Sequence, residues 1–556
     1  MEGVRRVALW GHLVAVALVL VALVPLLDNG QYSADEGAVL AQVDLLDRTG
    51  RWTAPNPDTA IDPEGHALPL ELALRRVDGE WAPFAKHSTY VRALRVVPGV
   101  WLAVAGLFVA AAGAAAIARR LAPGTEAVVA WATALGSPLL FDGYTELAHT
   151  LVAAMAAWAT VLAIEAVDRD KTTLHRYALG AGAAVLVGAG IFFRTEASLF
   201  APAVAAGLVL ALAAQRKPPD IAGLALPVGV MGAAGLAFLL AGKVDDSAWG
   251  GPILEQLKAG DRTKPPWLEG RIDGFLTTWL RPAYTGENTL LLVAGLGLVL
   301  LWVATVLARR RGDAPAITLF AIAGAACFAI RLAAGPALVP GLVVAVPLLA
   351  GVVALDRATL GSAAGRVTAG AAVVFALAVL ATQYAEGGAG EWGGRYFALA
   401  LPLAVPLGVA GLRRAANQLD DPKARQALIG GFAAATLALS AGALIELRHA
   451  QMGSAQSVAK LDAFRHELAT DPAQAPLAVL ATTGTIARFS WDHLDEGHWY
   501  TVSEADLPTY SQRLAEQGRP ILFFSGAPGI EQPIVAHDWD VEKVEGTSSL
   551  FLLTPR

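Results

Sequence analysis

Long apolar runs separated by short polar ones dominate this chain. The first extends from Val7 to Leu27, far more than the core of a globular helix needs and about what a hydrocarbon layer demands. Counting further apolar segments of about 20 residues predicts roughly 13 membrane spans. After the first they fall near 96–118, 125–140, 147–166, 177–193, 196–214, 221–241, 289–308, 315–331, 337–355, 367–384, 397–412 and 427–446. Three polar stretches are too long for turns, namely 28–95, 242–288 and 447–556. In the first, Val39, Leu40, Val43 and Leu46 recur at helical spacing, which predicts an amphipathic helix along the membrane surface. The second holds a short helical pattern from Pro252 to Lys258 and reads as a mobile cover. In the last, an amphipathic helix (454–468) precedes strand-like runs at 476–482, 520–525, 539–544 and 549–554, with a helical stretch near 503–517. That pattern predicts a small α/β domain able to fold alone.

Composition agrees with the pattern. Of 556 residues, 55% are hydrophobic and 16% charged, and the mean hydropathy is +0.50. The fold class expected is therefore a polytopic α-helical membrane protein, residues 1–446, with a small extracytoplasmic α/β C-terminal domain, residues 447–556. The single cysteine, Cys327, excludes an internal disulfide. The first run lacks a small-residue cleavage site at Leu27-Asp28-Asn29-Gly30, so it reads as an uncleaved span.

Charge tests the count independently of hydropathy. Every second loop is basic: Arg119-Arg120, Arg169 to Arg176, Arg216-Lys217, Arg309 to Arg311, Arg357 to Arg366 and Arg413 to Arg425. The positive-inside bias puts these loops and the N-terminus in the cytoplasm, and an odd number of spans puts the C-terminus outside. On that topology Arg194, Arg331 and Arg395 lie in or beside short outer turns, where arginine is unfavourable unless it anchors or binds something. Guanidinium groups hold phosphate oxygens through paired hydrogen bonds, so a membrane-side phosphate is one common explanation. Lys86 and His87 could add to the same patch, interface anchoring being the alternative for Lys86. Arg194 with Glu196 could equally be a local ion pair.

Acidic groups share that side. Asp35 and Glu36 follow the first span directly, and Asp142 and Glu146 occupy the turn before His149. Such paired acids can bind a divalent metal, orient sugar hydroxyls, or divide base and orienting roles. If a metal is present, Asp35 and Glu146 are its candidate ligands; the sequence requires no cofactor. The bland alternative for the first pair is a helix cap, with Ser33 capping and the acids in the first turn. His149 has a bland reading too, as a packed helix residue. No P-loop, Gly-x-Ser-x-Gly elbow or His-Glu-x-x-His occurs, which argues against ATP-driven transport and the corresponding hydrolases. Asp168-Arg169-Asp170 falls in a cytoplasmic loop and reads as solvated.

Taken together, the acidic pair after the first span, the surface helix, Arg95-Val96-Val97-Pro98, the Glu146 and His149 turn, Phe193-Arg194-Thr195-Glu196, and Gly393-Gly394-Arg395-Tyr396-Phe397 before Leu401-Pro402 resemble the GT-C glycosyltransferases. The similarity is to polyprenyl-phosphate-sugar-dependent bacterial members related to protein mannosyltransferases, aminoarabinose transferases and cell-wall arabinofuranosyltransferases, and covers about the first 415 residues. It implies inverting transfer of a sugar from a polyprenyl-monophosphate donor to a glycan, lipid or protein hydroxyl, at the outer face of the cytoplasmic membrane and in envelope assembly. It implies Asp35 as general base, with Glu36 as alternative, and positive residues that hold the donor phosphate, which Arg395, Arg194 and Lys86 fit; Arg331, from the charge pattern, and Tyr396 complete the candidate donor-phosphate residues. One departure is clear, since the family's Lys-Pro-Pro reads Lys86-His87-Ser88 here. The partners expected are the lipid-linked donor, its acceptor and membrane lipid, with no nucleic acid. Rival classes are a transporter or flippase of lipid-linked glycans, whose charges should lie mid-membrane, a polymer ligase using lipid diphosphates, and a non-catalytic scaffold.

Overall fold

The computed structural model describes residues 2–27, 30–55, 60–63, 67, 75–77, 80–84, 87–215, 220–249, 255–256, 266–280, 289–333, 339–382, 392–469, 478–482, 485–493, 498–525, 539–545 and 550–556. It divides into two compact units. The first comprises residues 1–28, 98–241 and 264–449, and the second residues 29–97, 242–263 and 450–556. The boundary expected at 446 falls inside one continuous helix, Pro422–Ala469.

Among the described residues, ten helices are long and apolar enough to cross a membrane. The chain is a multi-pass helical membrane protein. Two shorter apolar helices, Glu126–Leu135 and Ala197–Ala213, and a broken segment, Leu342–Ala345 followed by the 3-10 helix Pro347–Ala354, occupy the three remaining apolar stretches. Pro347 cannot donate a helical hydrogen bond, and the segment continues in the tighter form. There it lies against helix Leu401–Asn417, where an added Cβ on Gly351 would come 2.2 Å from the Gly408 carbonyl oxygen. Close approach through small residues recurs at Gly106, against the backbone of Leu151 in helix His149–Ala166. Large apolar side chains such as Val14, Leu18 and Leu239 are exposed, as a lipid-facing surface requires.

The second unit holds two sheets. Strands β1 (Ala54–Pro55), β2 (Arg75–Val77), β3 (Glu80–Ala82) and β4 (Glu255–Gln256) form an antiparallel sheet in the order β1-β3-β2-β4. Residues 255–256 are thus a strand where a helix from Pro252 to Lys258 is expected; one turn of isolated helix is marginal, and pairing with Arg75 and Arg76 satisfies the backbone instead. Strands β5 (Ala478–Ala481), β6 (His498–Thr501), β7 (Ile521–Phe524), β8 (Trp539–Lys543) and β9 (Leu550–Pro555) form the order β6-β5-β7-β9-β8, with β5 parallel to both neighbours. Helix Leu507–Ala515 packs its apolar face onto this sheet through Leu507, Tyr510 and Leu514.

The core of the tail contains residues from the first long loop. Ile61 and Ala67 join Leu480, Tyr500, Phe523 and Trp539 on one side of the sheet. Ala41 and Trp81 join Val479, Trp499 and Leu522 on the other. Asp62, 1% exposed, accepts hydrogen bonds from the Tyr510 hydroxyl at 2.8 Å and the Ala67 amide at 2.9 Å. Burial, then the bond to Asp62, pushes the Tyr510 hydroxyl up, so it stays a neutral donor. Replacing Asp62 with Ala strands two buried donors and is expected to cost about 1–3 kcal/mol. Thermal unfolding in detergent should show a lower Tm for Asp62→Ala, with Asp540→Ala, at an exposed ion pair, unchanged.

Candidate functional site

In the first unit, the fold joins two stretches that lie far apart in sequence. Asp142 ends the short helix Leu139–Asp142, and Glu146 lies in the turn that follows it. Gly393 and Gly394 precede the 3-10 helix Arg395–Ala400. Phe141 stacks on Trp392 with centroids 6.4 Å apart, and an added Cβ on Gly393 would lie 2.4 Å from Pro138. Both glycines have positive φ, +71° and +75°, so the pair that turns the chain into Arg395 needs residues without side chains. Trp279, from the π-helical turn Phe275–Leu280, meets Phe397 edge-on at 5.3 Å.

Cationic groups gather there. Arg194 caps the end of helix Thr173–Phe193 and makes a two-pronged pair with Glu196, Nε to Oε2 at 3.1 Å and NH2 to Oε1 at 2.7 Å. Its guanidinium lies 5.9 Å from the Tyr396 ring centroid, and that of Arg395 5.3 Å from the same ring. His149 begins helix His149–Ala166, which packs against the Arg395–Ala400 turn. It is fully buried, within electrostatic reach of both arginines, and neither ring nitrogen has a hydrogen-bond partner among the described residues. Burying an imidazole without a partner is costly. Asp142 is equally buried, and Glu146 sits over Gly99 at the entry to helix Trp101–Leu121.

Arg331 takes a different place. It is buried in helix Ala314–Ala333, where its charge is felt by Glu446 of helix Pro422–Ala469. An apolar groove of about 380 Å³ lies between Leu102, Val109, Leu151, Met155, Trp158 and Leu186. At about 100° per residue, Leu151 points some 200° away from His149, so the groove and the imidazole occupy opposite faces of one helix.

In the second unit the acidic pair is divided. Helix Ala34–Thr49 starts at the N-cap Ser33, as the cap reading expects. Glu36 is buried, and its Oε1 accepts from the amides of Tyr32 at 3.1 Å and Ser33 at 3.0 Å. It satisfies orphan donors at the helix start. Asp35, one residue earlier, keeps a side chain 40% exposed and lies 3.3 Å from Arg488 NH1. His87 is the left-handed N-cap of helix Ser88–Val96 (φ 55°), and its amide bonds Asp245, which also accepts from the Ser88 amide and hydroxyl at 2.9 and 2.5 Å. Lys86 lies outside the described residues. No cluster of three or more His, Cys, Asp or Glu able to hold a metal occurs among the described residues.

No protein-family profile matches the sequence, and no curated protein matches it. Among solved structures, the chain is similar to ArnT from Cupriavidus metallidurans in the apo state, at 16% identity and TM-score 0.45, covering 100% of this chain and 98% of that one. It is similar to the same protein bound to undecaprenyl phosphate at 17% identity and TM-score 0.42, covering 97% of each chain. A third similarity, at 12% identity and TM-score 0.47, is to the apo oligosaccharyltransferase of Archaeoglobus fulgidus, covering 99% of this chain and 74% of that one.

Sequence reasoning missed Trp392, Trp279, Asp245 and Arg488. Only Trp392 carried a local signal, standing directly before the glycine pair. Gly393→Ala should destabilise the protein by about 1–2 kcal/mol from the left-handed backbone alone, and by more from the contact with Pro138. Gly229→Ala, where nothing lies within 4 Å of an added Cβ, serves as control in the same melting experiment and should not lower Tm.

Proposed function

We propose that the chain is a GT-C-type glycosyltransferase that moves a sugar, with inversion, from a polyprenyl-monophosphate donor to an acceptor hydroxyl. The observation that carries this reading is the division of labour in the acidic pair. Glu36 caps its helix, whereas Asp35, its side chain 40% exposed beside Arg488, stands at the position that the family resemblance gives to the base. Two arginines over one tyrosine ring, with a buried imidazole in reach of both, support a phosphate site in the helical unit.

Each role follows from elementary chemistry. The acceptor oxygen attacks the anomeric carbon while its proton passes to Asp35. The bond from that carbon to the phosphate oxygen breaks, and the lipid phosphate leaves with the electron pair. Its growing charge is held by Arg395 and Arg194, and a ring nitrogen of His149 can donate to a phosphate oxygen. Glu196 orients Arg194 and leaves a guanidinium edge for a second anion. Arg331, set against Glu446, serves better as a helix-to-helix tie than as a phosphate ligand. The reading places the N-terminus in the cytoplasm, the C-terminus outside, and the reaction in envelope glycan assembly.

Four measurements test it. Asp35→Asn should lower turnover of a labelled polyprenyl-monophosphate sugar by about 100- to 10,000-fold; unchanged turnover would remove Asp35 as base. Glu36→Gln should instead lower Tm, because the weakened acceptor serves two amides. Arg395→Ala should weaken donor binding, read in a titration with polyprenyl phosphate, more than acceptor binding; equal loss of both would make it an anchor. A reporter active only in the cytoplasm, fused after Arg556, should stay silent.

A further inference from the structure

The sheet domain reaches the first acidic loop through a residue with no signal in the sequence. Arg488 lies in helix Thr485–Phe489, whose Ile486 and Ala487 are buried against β5 and β6 through Val479 and Trp499. The arginine side chain is 8% exposed, and NH1 stands 3.3 Å from Asp35 Oδ1. The two helices meet backbone to backbone. An added Cβ on Gly37 would lie 1.8 Å from the Arg488 carbonyl oxygen, so only glycine in the first turn of Ala34–Thr49 permits this docking. A cation fixed by the sheet thus holds a carboxylate that remains partly open.

We propose that Arg488 is a positioning residue for Asp35, through which the C-terminal sheet domain orients the carboxylate that takes the acceptor proton. This rests on the reading of Asp35 as base. Other charged groups lie around the same helix. Glu36 faces the Tyr32 and Ser33 amides. Asp44 pairs with Arg48. On helix Ser88–Val96, Arg95 pairs with Asp47 at 2.5 Å and Arg92 lies over Trp52. The 3-10 turn Trp491–His493, which also packs against the helix, carries Asp492 and His493. Arg488 pairs with Asp35. An opposite charge this close limits the rotation of the carboxylate. Removing it should therefore loosen the base.

The test uses the full chain in proteoliposomes, with radiolabelled polyprenyl-monophosphomannose and polyprenyl-monophosphoarabinofuranose as probes and water as acceptor, releasing free sugar. Arg488→Gln should lower kcat by about tenfold and leave the donor KM unchanged. Arg488→Lys should recover most of the loss. Adding Arg488→Gln to Asp35→Asn should cost nothing further. In parallel, carbodiimide labelling of Asp35 at one fixed pH, read by mass spectrometry, should be faster in Arg488→Gln without requiring turnover. An unchanged kcat and labelling rate in Arg488→Gln overturn the proposal, as does a further loss in the double variant. Faster labelling with normal turnover in Asp35→Asn would instead remove Asp35 as base and leave the ion pair as a structural tie.

Discussion

A backbone inside hydrocarbon must satisfy its hydrogen bonds within each helix, and that constraint governs where this chain can place chemistry. Only at helix ends are donors and acceptors free and side chains able to leave the apolar surface. The candidate residues obey it. His149 opens a helix, Arg194 closes one, Arg395 begins a 3-10 turn after two left-handed glycines, and Asp35 lies in a first turn. Arg331, within the last turn of its helix, is matched by a buried glutamate.

Proximity then comes from small residues. Gly393 against Pro138, Gly106 against Leu151, and Gly37 against the Arg488 carbonyl each mark a place where one methyl group would push two elements apart. The apolar groove carries the opposite lesson. It is accessible and greasy, yet it lies on the face of its helix turned away from His149. In a membrane protein, such a groove is a lipid-facing surface before it is a site.

Two acids side by side illustrate how one helix turn separates roles. Glu36 turns back to the amides that precede it and becomes part of the backbone's own bonding. Asp35, about 100° away around the axis, is left to interact outward. The cap reading therefore belongs to Glu36, and the proposed catalytic role to Asp35.

The apolar segments were legible from the sequence because hydropathy is additive and local; each of the thirteen has a counterpart among the described helices and the broken segment Leu342–Ala354. The strand-like runs of the tail were legible too, with β5, β7 and β8 falling within them and β9 overrunning its run by one residue, while β6 was not anticipated. The first loop was not legible as part of a core. Ile61, Asp62 and Trp81 show their role only when Tyr510 and Trp499 are beside them. Nor could the chain alone tell which acid of the first pair stays open, or that Arg488 pairs with it. Local pattern fixes where the chain crosses lipid and where helices begin, because those free energies belong to single segments. Which charge meets which is set by packing between segments hundreds of residues apart, and only the tertiary structure decides it.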